Sequence, residues 1–159
     1  MTASLRNGLF IALLVIVLDQ ITKWIALTGV GFGADPIAVT SFFNLVLVWN
    51  RGVSFGMFNE AGAAGPWILS GLAIVVVLGL LYWLRQAEAR LTVTALGLVI
   101  GGALGNVIDR FRFGAVVDFL DVHIAGYHWP AFNVADAAIC VGAGLLLLDG
   151  LLSPQRQTT

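Results

Sequence analysis

Four stretches of nearly unbroken apolar sequence organise this chain, and polar residues cluster around only some of their ends. The first runs from about Gly8 to Thr28 and carries Asp19 and Lys23 inside it. The second, Ala61 to Leu84, is 24 residues long without a formal charge. The third covers Leu91 to Ile108, 18 residues, and stops at Asp109-Arg110. The fourth begins near Trp129-Pro130 and ends near Leu152, with Asp136 in its second turn. A spanning helix needs roughly 20 apolar residues, so each stretch predicts a transmembrane helix. Pro130 suits a helix start, where its missing N–H costs nothing.

The segments between the spans read differently. Ile37–Val39 and Leu45–Trp49 are rich in β-branched or aromatic residues and flanked by turn formers, which predicts a short hairpin. Phe55, Met57 and Phe58 form an apolar patch suited to the membrane interface, and Ala115–Val122 predicts another extended piece. Gly97, Gly101 and Gly105 recur every four residues, so one face of the third span is smooth and lets a neighbouring helix approach closely. Gly29–Gly33 has no preceding strand and is not a phosphate loop. Arg6 and the following apolar run resemble a cleaved leader. Asp19 and Lys23 interrupt the expected cleavage region, however, and a retained first span is expected.

Composition agrees with lipid as the solvent. The 159 residues are 59% hydrophobic and 11% charged, with a mean hydropathy of +0.95. A soluble domain of this length could not hide so much apolar surface. The net charge of −1 includes no basic stripe for nucleic acid. Cys140 is the only cysteine, which excludes an internal disulfide, and it reads as a small packing residue in the fourth span.

Four spans put both termini and the Arg85–Arg90 loop on one side, with Arg6, Arg85, Arg90 and Arg156. The other side holds Arg51, Arg110 and Arg112, so the positive-inside rule makes the termini cytoplasmic by a narrow margin. On this topology separate parts of the sequence deliver polar groups to the same outer face. Asp19, Lys23, Asn50, Arg51, Asn106, Asp109, Arg110, Asp118, His123, Asn133 and Asp136 all belong to it. Asp136 is expected roughly 9 Å below the start of its helix, at about 1.5 Å per residue.

A carboxylate within a span costs a few kcal/mol, so it usually has a partner or a role. Asp19 and Lys23 are four residues apart and can neutralise each other. Asp149 lies near the cytoplasmic end of the fourth span, where a charge reaches the headgroups. Asp118 and Asp136 have no basic residue four away. If the segment after the third span folds back over the fourth, they meet and share a proton. One carboxylate can then activate water while the other polarises a carbonyl, which hydrolyses a peptide bond with no metal or cofactor. His123 and His128 lack zinc-protease spacing, and Ser54 lacks the nucleophile-elbow glycines. Both histidines read as ordinary loop residues. Two other classes stay open on spacing alone. One is a proton pathway, which would need acids through the full bilayer. The other is a subunit that binds a partner without cutting it.

Five blocks in order carry a resemblance that narrows these readings. They are Asp19-Gln20-Ile21-Thr22-Lys23, Asn50-Arg51-Gly52-Val53-Ser54-Phe55, Gly101 to Arg110 (GGALGNVIDR), Val116-Val117-Asp118-Phe119, and Pro130 to Asp136 (PAFNVAD). Together they resemble the bacterial lipoprotein signal peptidases, the signal peptidase II family of aspartyl peptidases. Trp129, where an aromatic Phe is common, is the only departure noted. The resemblance implies one domain of four transmembrane helices with a small extracytoplasmic β-cradle and a short periplasmic helix. It implies Asp118 and Asp136 as the catalytic dyad, with Asn106, Arg110 and Asn133 around it and Asp19, Lys23 and Asn50 as further supports. The implied substrates are prolipoproteins cut just before a cysteine bearing diacylglyceryl. Membrane lipids are the expected surroundings, the bacterial inner membrane the location, and no cofactor is expected. A monomer suffices, because the site is complete in one chain.

Overall fold

A computed structural model describes residues 2–29, 35–52 and 64–152. Within them lie helix α1 (Ala3–Gly29), strands β1 (Ile37–Thr40) and β2 (Phe43–Asn50), helices α2 (Gly65–Gln86) and α3 (Arg90–Phe113), strands β3 (Val116–Ile124) and β4 (Tyr127–His128), and helix α4 (Val134–Leu152). All four helices are long and apolar enough to cross a membrane. The four strands form one antiparallel sheet in the order β1-β2-β3-β4. The hairpin expected around residues 37–49 is present, and so is the extended piece after the third span. The apolar patch at Phe55–Phe58 and the short periplasmic helix fall outside the described residues.

Chain order decides where the sheet sits. It follows the end of α1, precedes α2, follows α3 and precedes α4, so every strand lies at the same end of the bundle. The opposite end holds the start of α1, the turn between α2 and α3, and the end of α4.

Helix α3 is the central element. Leu96 and Ile100 are fully buried and share a core with Ala12, Val77, Leu84 and Val93 from all three of the first helices. The glycine stripe explains how α1 comes so close. A Cβ at Gly97 would lie 2.8 Å from the Gly8 carbonyl oxygen, and one at Gly101 would lie 2.6 Å from that of Ala12. Gly102, on the adjacent face, admits the Ala135 carbonyl of α4 in the same way. Where lipid surrounds the helices, no difference in hydrophobicity pulls them together, and close packing of this kind supplies the attraction.

Several boundaries differ from those expected. The charged pair Asp109-Arg110 does not end the third span. Helix α3 continues to Phe113 and stops at Gly114, whose φ of 69° gives the left-handed cap from which β3 departs. The fourth helix does not start at Pro130. Phe132 is bound instead as a bridge to Leu120 of β3, with Phe132 N–H donating to the Leu120 carbonyl at 3.0 Å. The sheet therefore holds the chain extended until Asn133. Asp136 is in the first turn of α4, only about 3 Å along the axis from Val134 by helical rise.

Four further residues differ from expectation. Cys140 is on α4 but exposed rather than packed. Asp149 is not a free interfacial charge, because it accepts a 2.6 Å hydrogen bond from Thr92 Oγ1 across α3 and α4. His123 and His128 are on strands rather than a loop. Their rings stack with centroids 4.7 Å apart, and His128 Nδ1 lies 2.9 Å from Asp121.

The glycine contacts give a direct test. Gly101→Ala places a methyl against α1 backbone that cannot yield, and should destabilise the fold by about 1–3 kcal/mol. The same change at Gly79, where nothing lies within 4 Å, should be neutral or mildly stabilising because alanine favours the helix. Thermal unfolding of both variants in detergent should separate them, and equal melting temperatures would refute the close-approach account.

Candidate active site

The polar residues expected at one end of the bundle do converge there, and α4 begins among them. Asn133 and Asp136 form a reciprocal cap. The Asp136 N–H donates to Asn133 Oδ1 at 2.9 Å, and the Asn133 N–H donates to Asp136 Oδ2 at 3.2 Å. An Asn at the cap position and an acid three residues later satisfy two otherwise orphan donors of the helix start. Asp19 satisfies a third, accepting the Ala135 N–H at 3.0 Å. One function of Asp136 is therefore evident from local helix chemistry alone.

Asp118 comes from β3. In the register of the sheet it lies opposite Val48 of β2, just past an irregularity between Leu45 and Val48. Asn50 at the end of β2 donates to Asp118 Oδ2 at 3.0 Å, and Asn133 Nδ2 donates to Asp118 Oδ1 at 2.7 Å. Asn106 of α3 donates to Asp136 Oδ1 at 2.8 Å. Asn133 thus touches both carboxylates: its amide nitrogen bonds Asp118 and its amide oxygen and backbone bond Asp136. The return of the segment after α3 over the start of α4 is the condition that brings Asp118 and Asp136 together.

The two acids differ in their surroundings. Asp118 is 1% exposed, whereas Asp136 is half-buried. Burial first, and then the nearby charge of Asp136, push the Asp118 carboxyl up to about 6; the hydrogen bonds from Asn50 and Asn133 and the charge of Lys23 pull the other way. A carboxyl so placed holds or releases a proton near neutral pH. Farther along β3, Asp121 behaves oppositely. Burial would raise it, but hydrogen bonds from His128 and Asn44 prevail and keep it below the usual carboxylate range.

Next to these two acids, linked to them through Asn106, is a buried ion cluster. Lys23 Nζ donates to Asp19 Oδ2 at 2.9 Å, to Asp109 Oδ2 at 2.8 Å and to Asn106 Oδ1 at 3.0 Å. All three ammonium protons are used. The i,i+4 neutralisation of Asp19 by Lys23 is real but incomplete as a description, since Asp109 shares the same cation. Gln20 closes the cluster, donating to Asp109 Oδ1 at 2.9 Å and to Asp19 Oδ2 at 3.2 Å. Arg110 has its Nε buried without a partner, while one guanidinium N–H reaches the Asn106 carbonyl at 3.4 Å.

All eight residues singled out from the sequence therefore lie in one neighbourhood. Asp109 and Gln20 were not among them. The signal for Asp109 was its place beside Arg110, five residues before Gly114. The signal for Gln20 was its place between two residues of a block already noted. Neither signal carries chemistry until α1 and α3 are seen to touch.

Comparison with known proteins bears on the same residues. A family profile described as Signal peptidase (SPase) II matches residues 11–152. A lipoprotein signal peptidase of Methylobacterium radiotolerans is 47% identical over 157 residues, covering 96% of this chain and 90% of its own length. One from Paraburkholderia phytofirmans is 50% identical over 149 residues, covering 93% and 86%. Among solved structures, a bacterial membrane enzyme determined by the in meso method at 2.3 Å resolution has a TM-score of 0.77. It is 31% identical and covers 96% of this chain and 94% of its own. A second, at 1.9 Å, has a TM-score of 0.80 at 31% identity. With its four helices, its small sheet and its two carboxylates bridged by Asn133, the chain belongs to the signal peptidase II family, the lipoprotein signal peptidases.

Proposed function

We propose that Asp118 and Asp136 are the catalytic dyad with which this lipoprotein signal peptidase cuts prolipoproteins just before a diacylglyceryl-modified cysteine. The observation that carries the assignment is the side chain and backbone of Asn133 bonded to both carboxylates at once. Two acids so close cannot both ionise cheaply, so the pair holds one proton, chiefly on the more buried Asp118. Asp136 takes a proton from water, whose oxygen attacks the scissile carbonyl carbon. Asp118 donates its proton to the carbonyl oxygen as that oxygen gains charge. Collapse of the tetrahedral diol breaks the C–N bond, with the proton on Asp136 passing to the departing amine nitrogen and one hydroxyl proton of the diol returning to Asp118, which restores the starting pair. Asn106 and Asn50 keep one carboxylate each in orientation, and Arg110 offers donors to a substrate oxygen.

The position of the site suits a lipid-anchored substrate. A cysteine held by acyl chains keeps its peptide bond near the headgroups, and the dyad lies at the junction of sheet and helices, within the first turn of α4. The proposed orientation puts this face outside the cytoplasm and both termini within it, in the bacterial inner membrane. Bilayer lipids surround the apolar helix faces. One chain supplies every residue of the site, so the proposed working unit is a monomer.

Asp118→Asn and Asp136→Asn should each lower cleavage of a lipidated precursor by on the order of 10³-fold or more while the protein remains folded. Purified enzyme in detergent, given lipidated and unlipidated precursors in parallel, should cut only the first. Turnover near the wild-type rate by either variant would remove that residue from the dyad, and equal cutting of both precursors would remove the lipid requirement.

The raised Asp118 carboxyl also predicts a pH dependence of stability. Its pKa is higher folded than unfolded, so the native state is favoured fully below about pH 4 and loses that advantage as pH rises through about 6. Asp118→Asn carries no such penalty. Its stability relative to the wild type should therefore rise by on the order of 2 kcal/mol between pH 4 and pH 8, allowing for solvent screening at the open side of the site. Melting temperatures at the two pH values give the difference, and a variant whose offset does not change with pH would contradict the buried-proton account.

A further inference from the structure

The hydrolytic steps leave two buried carboxylates of the site unused, Asp19 and Asp109. Asp109 is 1% exposed and accepts three hydrogen bonds. Gln20 reaches its Oδ1, while Lys23 and the Val117 backbone N–H, at 3.1 Å, both reach its Oδ2. Val117 is the residue directly before Asp118. Its peptide is held on both sides, because its carbonyl accepts from Asn133 Nδ2 at 3.3 Å.

The other half of the dyad is held in a parallel way. Asp19 accepts the N–H of Ala135, the residue directly before Asp136. Lys23 bonds both Asp19 and Asp109, and through Asn106 it also reaches the amide that donates to Asp136. A single ammonium therefore anchors the two acids that fix the backbone ahead of each dyad carboxylate.

Neutrality does not require this arrangement. Asp19 alone balances Lys23, and adding Asp109 gives the trio an excess negative charge at a buried position, which is costly unless something is gained. What Asp109 adds is an acceptor oxygen able to take the Lys23 ammonium and the Val117 N–H together. We propose that Asp109 is a positioning residue for peptide-bond cleavage, holding Asp118 at its working separation from Asp136 through the Val117 N–H with Lys23 as the shared anchor. The proposal rests on the assignment of Asp118 and Asp136 as the dyad.

The test uses purified full-length enzyme with a lipidated precursor and two substitutions. Asp109→Asn keeps the shape but removes the charge that Lys23 shares. Asp109→Glu keeps the charge but its extra methylene moves the acceptor away from Val117. Each should lower kcat by about 10- to 100-fold, the cost of a displacement near 1 Å at the reacting groups, with KM within about twofold of wild type. Amide exchange should quicken over residues 116–119 and stay slow over 134–137, which Asp19 still holds. A folded variant with kcat within twofold of wild type overturns the proposal, as does a loss expressed only in KM. Failure of both variants to fold makes Asp109 structural alone and overturns it too. Asp118→Asn, assayed beside them, separates the two readings. If it is inactive while the Asp109 variants turn over normally, only the positioning role fails; if it turns over normally, the dyad fails.

Discussion

The buried ammonium of Lys23 is the contact on which the rest of the site depends. A cation removed from water costs several kcal/mol unless its protons are all taken up, and here each of the three meets an oxygen within 3.0 Å. Those oxygens belong to α1 and to two turns of α3, so satisfying one charge fixes how the two helices align. The same constraint runs in reverse. Asp19 and Asp109 are themselves buried and tolerable only because Lys23 lies between them. Removing any member leaves another without one of its partners.

Lipid explains why such a cluster can be afforded beside an otherwise featureless bundle. In water, apolar faces would drive the helices together without help; in a bilayer they are indifferent to one another. Alignment must come from shape and from polar contacts. Gly97, Gly101 and Gly105 provide the shape along one line of α3. The stripe ends at the cluster, since a Cβ at Gly105 would lie 2.7 Å from Asp19 Oδ2. Smooth packing therefore delivers α1 to α3 at the one depth where Lys23 can reach Asp109.

Four spans, the hairpin and the convergence of polar residues at one end were all legible in the sequence, because each rests on a short-range pattern. Apolar runs of spanning length, the β-branched and aromatic residues of Ile37–Val39 and Leu45–Trp49, and the four-residue glycine repeat need no knowledge of neighbours. The start of α4 was misread for a corresponding reason. Pro130 is a good first helical residue in isolation, but the bridge between Leu120 and Phe132 takes the backbone first, and that pairing joins residues on either side of a hairpin. Asp109 was placed at the right face but given no role, because its partners are 86 positions away in α1 at Lys23 and eight positions on at Val117. Pairing across elements is what the residue pattern does not encode.

Asn133 shows why fold and chemistry are hard to separate at this site. As a helix cap it is ordinary: a short polar side chain accepting the N–H of the third helical residue, with that residue's acid returning the bond. Here the returning acid is Asp136, and the amide nitrogen that the cap leaves free donates to Asp118, with Asn106 and the Val117 carbonyl as its other acceptors. The arrangement that stops α4 from fraying is thus the one that bridges the two carboxylates. Helix formation at Val134 and assembly of the dyad are a single event. The strand that carries Asp118 must already be docked for the amide to have somewhere to donate. Burial and the neighbouring charge of Asp136 raise the proton affinity of Asp118 against the pull of the Asn50 and Asn133 hydrogen bonds that fix its position.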